Sequence, residues 1–412
     1  MRKDTPFPQG NSPMTDFLKK AWSSGWLDEF ADEHLLIRII ENRLDDFVGR
    51  VQLSANNLAM YCPMDANGGY DLASFSSTFC INLSVRLAHM ANAFGESSIK
   101  HFITDQLSAG KLNHYNEDTF LQALSEISIL TFWLGRWPWN QTIYEPRVKS
   151  GENNKNPEAS FIYHLKPSEN TTPKTIKINI EVKTPEFAHD NHESESILIP
   201  SVLLTEHGRS LVQNFCKTNE VTYLPPRVWK LVQFINSAAS KFSEPKENEL
   251  NLLYINWSYR DYPSNSFLEA ASLLSNQYNG LLNYPNIAKE LDVQPDAFNK
   301  ISAIIVYTDS LEGVMFTDFR HVWQSNGAGP RFRMYTLDRN IVQNVCNDTR
   351  EFVFQLTGMN PCDQENCKAL IAPKSATEKD LQRVTELGQA YGALMTGDVI
   401  LQGKILSQHN IE

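Results

Sequence analysis

The sequence predicts an α/β protein in which helices flank a β-sheet, preceded by a mainly helical N-terminal region. Three observations lead there: apolar residues at three-to-four spacing through the first ninety or so residues, one strong helix beginning at Glu117, and a series of short alternating apolar runs after it. At 412 residues the chain is long enough for two or three structural units and a well-buried core. The organisation expected is a helical region over 1–112, an α/β core over 113–345 and a helical C-terminal extension over 346–412.

The first dozen residues, rich in Pro, Gly and polar side chains, are expected to fray. From Thr15 to Arg50, Leu35, Ile39, Ile40, Leu44 and Phe47 recur at helical spacing, with a break near Ser24 and Gly25. Cys62 to Asp71 has turn composition, and a further helix is expected from Thr78 to Ala93. The helix from Glu117 to Gly135 has Asn116 as its N-cap and the acids Glu117 and Asp118 in its first turn, where they complement the helix dipole. The runs TIYEPRV, SFIYHL, TIKINIEVKT, LNLLYINW and ISAIIVYTD then read as strands. Helices over Pro226–Phe242 and Ser266–Leu282 are interleaved with the later runs. In the tail, Ser375-Ala376-Thr377-Glu378 has capping-box spacing before a helix from Thr377 to Met395.

Charge narrows the function. Lys and Arg number 37 against 48 Asp and Glu, a formal net charge of −11. That balance excludes a protein that coats nucleic acid, whose footprint is strongly basic, but not one with a local basic cleft. Between Glu145 and Arg260 acids and bases are equal in number, so the acidic surplus lies elsewhere. No apolar run approaches the roughly 18 residues of a transmembrane helix. The N-terminus lacks the apolar segment of a secretory signal, and six cysteines are thinly spread, as in a reduced protein. The expectation is a soluble, cytoplasmic protein without a membrane partner.

The chemistry concentrates between Glu126 and Lys183. In Lys174–Lys183, Ile176, Ile178, Ile180 and Val182 share one strand face, and Lys177, Asn179, Glu181 and Lys183 the other. In the preceding run Glu158, Ser160, Ile162 and His164 share a face. The polar loop from Lys166 to Lys174 joins the two runs as an antiparallel hairpin whose arithmetic sets Glu158 opposite Glu181. Facing carboxylates in such a pair lie roughly 5 Å apart and repel unless a cation bridges them or one is protonated. A hard divalent cation, which takes oxygen ligands, satisfies them. Glu126, set among Leu124, Ile127, Ile129 and Leu130 in its helix, is a third acid in need of a partner.

In order and spacing these residues resemble the PD-(D/E)XK, or restriction-endonuclease-like, phosphodiesterases. The likeness is tight over Glu117 to Lys183 and loose to about Asp309. Helical Glu126, the run YEP, Pro157-Glu158 and the Glu181-Val-Lys183 strand stand where that family has its helical acid, first strand, second-strand acid and acid-x-Lys. One departure is Glu158, where the family usually has Asp; a side chain one methylene longer sits back from a metal. The resemblance implies a mixed central β-sheet flanked by helices and a metal-dependent nuclease, DNA its foremost substrate, in a setting such as restriction or defence. It implies Mg²⁺ (or Mn²⁺) held by Glu158 and Glu181, with Glu126 completing the set, and Lys183 orienting water and stabilising the transition state. On the helix after the third strand, Lys230, Gln233 and Lys241 are candidates for backbone phosphate contacts.

Two other readings stay open: a regulatory or recognition subunit that keeps the fold without the activity, and a ribonuclease. A protein partner or a second copy of the chain is compatible with each. Other motifs carry less. His189 to Glu195 reads as a polar loop, Cys346, Cys362 and Cys367 match no firm zinc spacing, and Ser325 to Arg331 lacks the GK[ST] of a phosphate-cradling loop.

Overall fold

The computed structural model describes residues 2–10, 12–44, 71–146 (except 111, 113 and 137), 156–165, 174–185, 196–198, 222–224, 227–257 (except 247), 292–307 and 332–336, with a few isolated positions between 214 and 281. The expected helices at Ser266–Leu282 and Thr377–Met395, the loop His189–Glu195, Ser325–Arg331, the C-terminal cysteines and the extension over 346–412 lie wholly or mainly outside them.

The fold is α/β, built on a mixed sheet with flanking helices. Its N-terminal helices are α1 (Asp16–Ser23), α2 (Leu35–Ile40), α3 (Leu72–Phe94) and α4 (Glu96–His101). A π-helical stretch, Phe102–Leu107, continues α4. The expected break after α1 is real: Gly25 takes φ +72°, a left-handed conformation that a side chain would strain. Helix α5 (Glu117–Arg136) begins as the sequence predicts, the Asn116 side chain accepting from the Asp118 N–H at 2.8 Å and from Thr119 at 3.3 Å.

Six strands form the main sheet: β1 (Gln141–Tyr144), β2 (Ala159–Leu165), β3 (Lys174–Lys183), β6 (Glu249–Asn256), β7 (Ala303–Tyr307) and β8 (Phe332–Thr336), adjacent in that order. β1, β2 and β3 are an antiparallel meander. β3, β6 and β7 run parallel, and β8 returns antiparallel to β7. A separate parallel pair joins β4 (Ser196–Leu198) to β5 (Thr222–Leu224). Helix α6 (Arg227–Lys241) lies within the crossover from β3 to β6, and the short α7 (Ala297–Lys300) precedes β7.

Each face of the sheet has its own core. Ile176, Ile178, Ile180 and Val182 of β3, with Leu252 and Tyr254 of β6, join one continuous cluster with α1, α2, α3 and α5. The alternate residues Leu253 and Ile255 of β6, and Ile304 and Val306 of β7, pack with the apolar stripe of α6. Across these layers Trp133 Nε1 donates to the Tyr254 hydroxyl at 3.0 Å, and Asn256 Nδ2 to Ser125 Oγ at 2.7 Å, fixing α5 along β6.

On β3 the polar alternate face is also covered. Asn179 and Glu181 are buried, where amphipathic alternation alone reads as a solvated face. Ser160 Oγ donates to Asn179 Oδ1. Asn179 Nδ2 donates to Asn251 Oδ1 at 2.7 Å and to Glu249 Oε1 at 2.9 Å, and Lys177 pairs with Glu249 at 2.8 Å. This satisfied ladder spans three neighbouring strands, so a one-residue slip of β3 would set isoleucines against amides.

In the helical layer His34 is fully buried and caps α2, its Nδ1 accepting from the Leu36 N–H at 3.0 Å. Nε2 therefore carries the proton and donates to the Leu107 carbonyl at 3.0 Å. Burial above all, with a smaller contribution from Arg2, pulls its pKa from 6.5 down to about 4, so the folded state holds the ring neutral. The unfolded chain then takes up the proton first as pH falls. The contribution is whole above pH 6.5 and is lost between there and about pH 4, by up to roughly 3 kcal/mol. Urea unfolding across that range should show this loss, and His34→Gln should flatten it; equal pH slopes for the two proteins would refute the assignment.

Candidate active site

The β2–β3 ladder pairs Ala159 with Ile180 and Phe161 with Ile178, and the same register carried one step further sets Glu158 across from Glu181. The predicted register is the observed one. The ladder of β2 with β3 ends at Ala159–Ile180, one step short of those acids, while β3 runs on beside β6 to the Lys183–Ile255 pair. The site lies at that carboxyl end of β3. The Glu158 carbonyl is tied to the end of β1 by the Glu145 N–H at 2.8 Å.

The structure brings Glu126, Glu158, Glu181 and Lys183 into one cluster, and adds Lys241. Glu181 is 0% exposed. Lys183 Nζ stands 2.6 Å from its Oε1 and Lys241 Nζ 2.7 Å from the same oxygen. The Lys241 ammonium also reaches Glu158 Oε1 at 3.1 Å and so bridges the two facing carboxylates. Glu181 Oε2 is buried and accepts no hydrogen bond among the described residues. Glu126, 5% exposed on α5, accepts from the Tyr144 hydroxyl at 3.1 Å. Gln106, in the π-helical stretch, donates to that hydroxyl at 3.0 Å and to Glu145 Oε1 at 3.3 Å.

Crowding of acids in a dry place governs their protonation. Burial, then the Glu158 charge, pushes Glu126 well above the usual carboxylate range. The same two causes raise Glu181 to about 7, against the opposing pull of Lys183 and Lys241. Glu145, half-buried and held at φ +44°, is raised by burial and by Glu158. Burial alone would lower Lys241, but the Glu158 and Glu181 carboxylates outweigh it and hold the ammonium above the usual lysine range.

The other two helix candidates stand apart from Lys241. Gln233 is exposed, and Lys230 lies with its Nζ 5.7 Å from the centre of the Phe234 ring. Lys241, expected to face phosphate, is instead engaged by carboxylates.

The donors suit a hard divalent cation: carboxylate oxygens from three elements, one of them, Glu181 Oε2, buried without a hydrogen bond. Among the described residues, however, no set of three His, Cys, Asp or Glu side chains is already arranged to hold a metal. Sequence reasoning missed Tyr144, Glu145 and Gln106 as parts of the site. Tyr144 and Glu145 fall within the strand run YEP, where their polarity at a strand end was a usable signal. Gln106 carried none, because its helix precedes the motif.

Neither a protein-family model, nor a curated protein, nor a solved structure was found to match this chain.

Removing the Tyr144 hydroxyl strips the buried Glu126 of its donor. Tyr144→Phe should cost about 1–3 kcal/mol in urea unfolding; an unchanged midpoint would mean that the hydroxyl does not hold Glu126.

Proposed function

We propose that this chain hydrolyses phosphodiester bonds of nucleic acid, DNA foremost, using Mg²⁺ or Mn²⁺ held by Glu158 and Glu181 with Glu126 as third donor. One observation carries the reading: Glu126, Glu158, Glu181 and Lys183, picked out by their spacing together with the family resemblance, come together from three separate parts of the fold around a buried, repelling set of carboxylates. Paired acids of this kind beside a lysine are the equipment of metal-assisted hydrolysis.

A cation bound there would polarise the scissile phosphate and lower the pKa of a bound water. Glu158 and Glu181 hold opposite sides of the gap. Lys183, fixed against Glu181, orients the attacking water and offsets the negative charge that develops on the phosphoryl oxygens. Tyr144 and Gln106 hold Glu126 in place from behind. Burial of Glu181 keeps bulk water from screening these interactions.

A second reading is supported by the Lys241 ammonium between Glu158 and Glu181: a binding or regulatory protein whose lysine has permanently replaced the metal.

The purified protein with Mg²⁺ should nick supercoiled plasmid DNA, and Glu181→Ala or Lys183→Ala should lower the rate by about 10²–10³-fold. Unchanged cleavage by both variants would sink the assignment. Parallel single-stranded DNA and RNA substrates separate deoxyribonuclease from ribonuclease. No cleavage of any substrate, with no Mn²⁺ stabilisation, would favour the second reading.

A further inference from the structure

Lys241 ends α6, at the helix terminus whose partial negative charge favours a cation. Its side chain is 17% exposed, and its ammonium contacts Glu158 Oε1 and Glu181 Oε1 together. A divalent cation shared by these two carboxylates would need the gap between them that the ammonium fills, even with Glu181 Oε2 as one of its donors. The two cannot bind there together.

Charge makes the exclusion consequential. Glu158 and Glu181 in their ionised forms are balanced by Lys183 and Lys241. In that state the cluster has little net attraction for a phosphodiester. A divalent cation held there by Glu158 and Glu181 would add two positive charges and would free the Lys241 ammonium on its flexible four-carbon stem. The cluster then becomes a net cation facing any phosphate brought to it. Lys183 does not perform this role, because it contacts Glu181 without bridging to Glu158 among the described contacts.

We propose that Lys241 is a built-in competitor for the divalent cation: it occupies the Glu158–Glu181 gap at rest, and its displacement by the metal switches the site from self-neutralised to phosphate-binding. This rests on the metal-dependent reading above and adds the regulation of that site. It makes the metal and the substrate phosphate mutually reinforcing ligands, since each favours the state in which the ammonium has left the gap.

Mn²⁺ alone is the probe. Isothermal titration of the full chain should show Lys241→Met binding Mn²⁺ roughly ten-fold or more tightly than the native protein, within the range of such couplings. Lys241→Arg, which keeps the charge, should show no such gain. A second measurement needs no variant. Modification of Lys241 by an amine-reactive ester, read by peptide mass spectrometry, should rise several-fold when Mn²⁺ saturates the native protein. Equal or weaker Mn²⁺ binding by a folded Lys241→Met, or Lys241 labelling unchanged at saturating Mn²⁺, would overturn the competitor role and leave the metal site standing. Absence of Mn²⁺ binding by both the native chain and Lys241→Met would instead remove the metal reading itself.

Discussion

A carboxylate with no exposure to water is the constraint on which the site depends. Glu181 sits in the middle of the sheet, where an ionised group without compensation would cost several kcal/mol. Lys183 supplies one cation from the same strand, and Lys241 supplies another from a helix in the following crossover. The ion pairs therefore tie β3 to the end of α6, and through Glu158 to the start of β2. Removing either lysine would leave part of that charge unmatched. The arrangement is thus less a source of net stability than a demand for one relative placement of three elements.

The rest of the polar face of β3 follows the same logic with neutral groups. Asn179 donates to Asn251 Oδ1 across neighbouring strands, and Asn251 Nδ2 in turn donates to the Ser243 and Lys300 carbonyls at 2.7 Å each. These side chains anchor the segment after α6 and the segment before β7 to the sheet. The site thus stands on a braced floor. The opposite face is held by apolar packing of α5 and the N-terminal helices, which brings Glu126 and Tyr144 to the cluster from the other direction.

Much of this geometry was legible in the sequence, for reasons that differ by element. The facing of Glu158 and Glu181 followed from strict two-residue alternation about one loop, and α5 from its Asn116 cap. The β4–β5 pair was not legible, because three-residue strands carry no measurable period. β8 follows a Gly-rich stretch and was not anticipated. The burial of Asn179 and Glu181 was hidden because alternation shows which residues share a face but not what later covers it. Lys241 was picked out as a helical base, yet its carboxylate partners lie far back in the chain, and no local pattern encodes that meeting. Gln106 was hidden in the same way.

The crossover between β3 and β6 has a consequence for how the molecule comes together. The β1–β2–β3 meander can close through contacts near in sequence, whereas the parallel β3–β6 pair must close a loop that contains β4, β5 and α6. Closing so long a loop has an entropic cost that the meander avoids, so contacts across the crossover are the slow ones. Lys241 lies on the far side of that delay. Until the crossover docks, Glu181 has only its strand neighbour Lys183 to balance it, in an edge strand still open to water. The acidic cluster has its dry surroundings and its second cation only with that crossover docked, so a chain lacking it would carry the carboxylates without the enclosed setting that gives them their character.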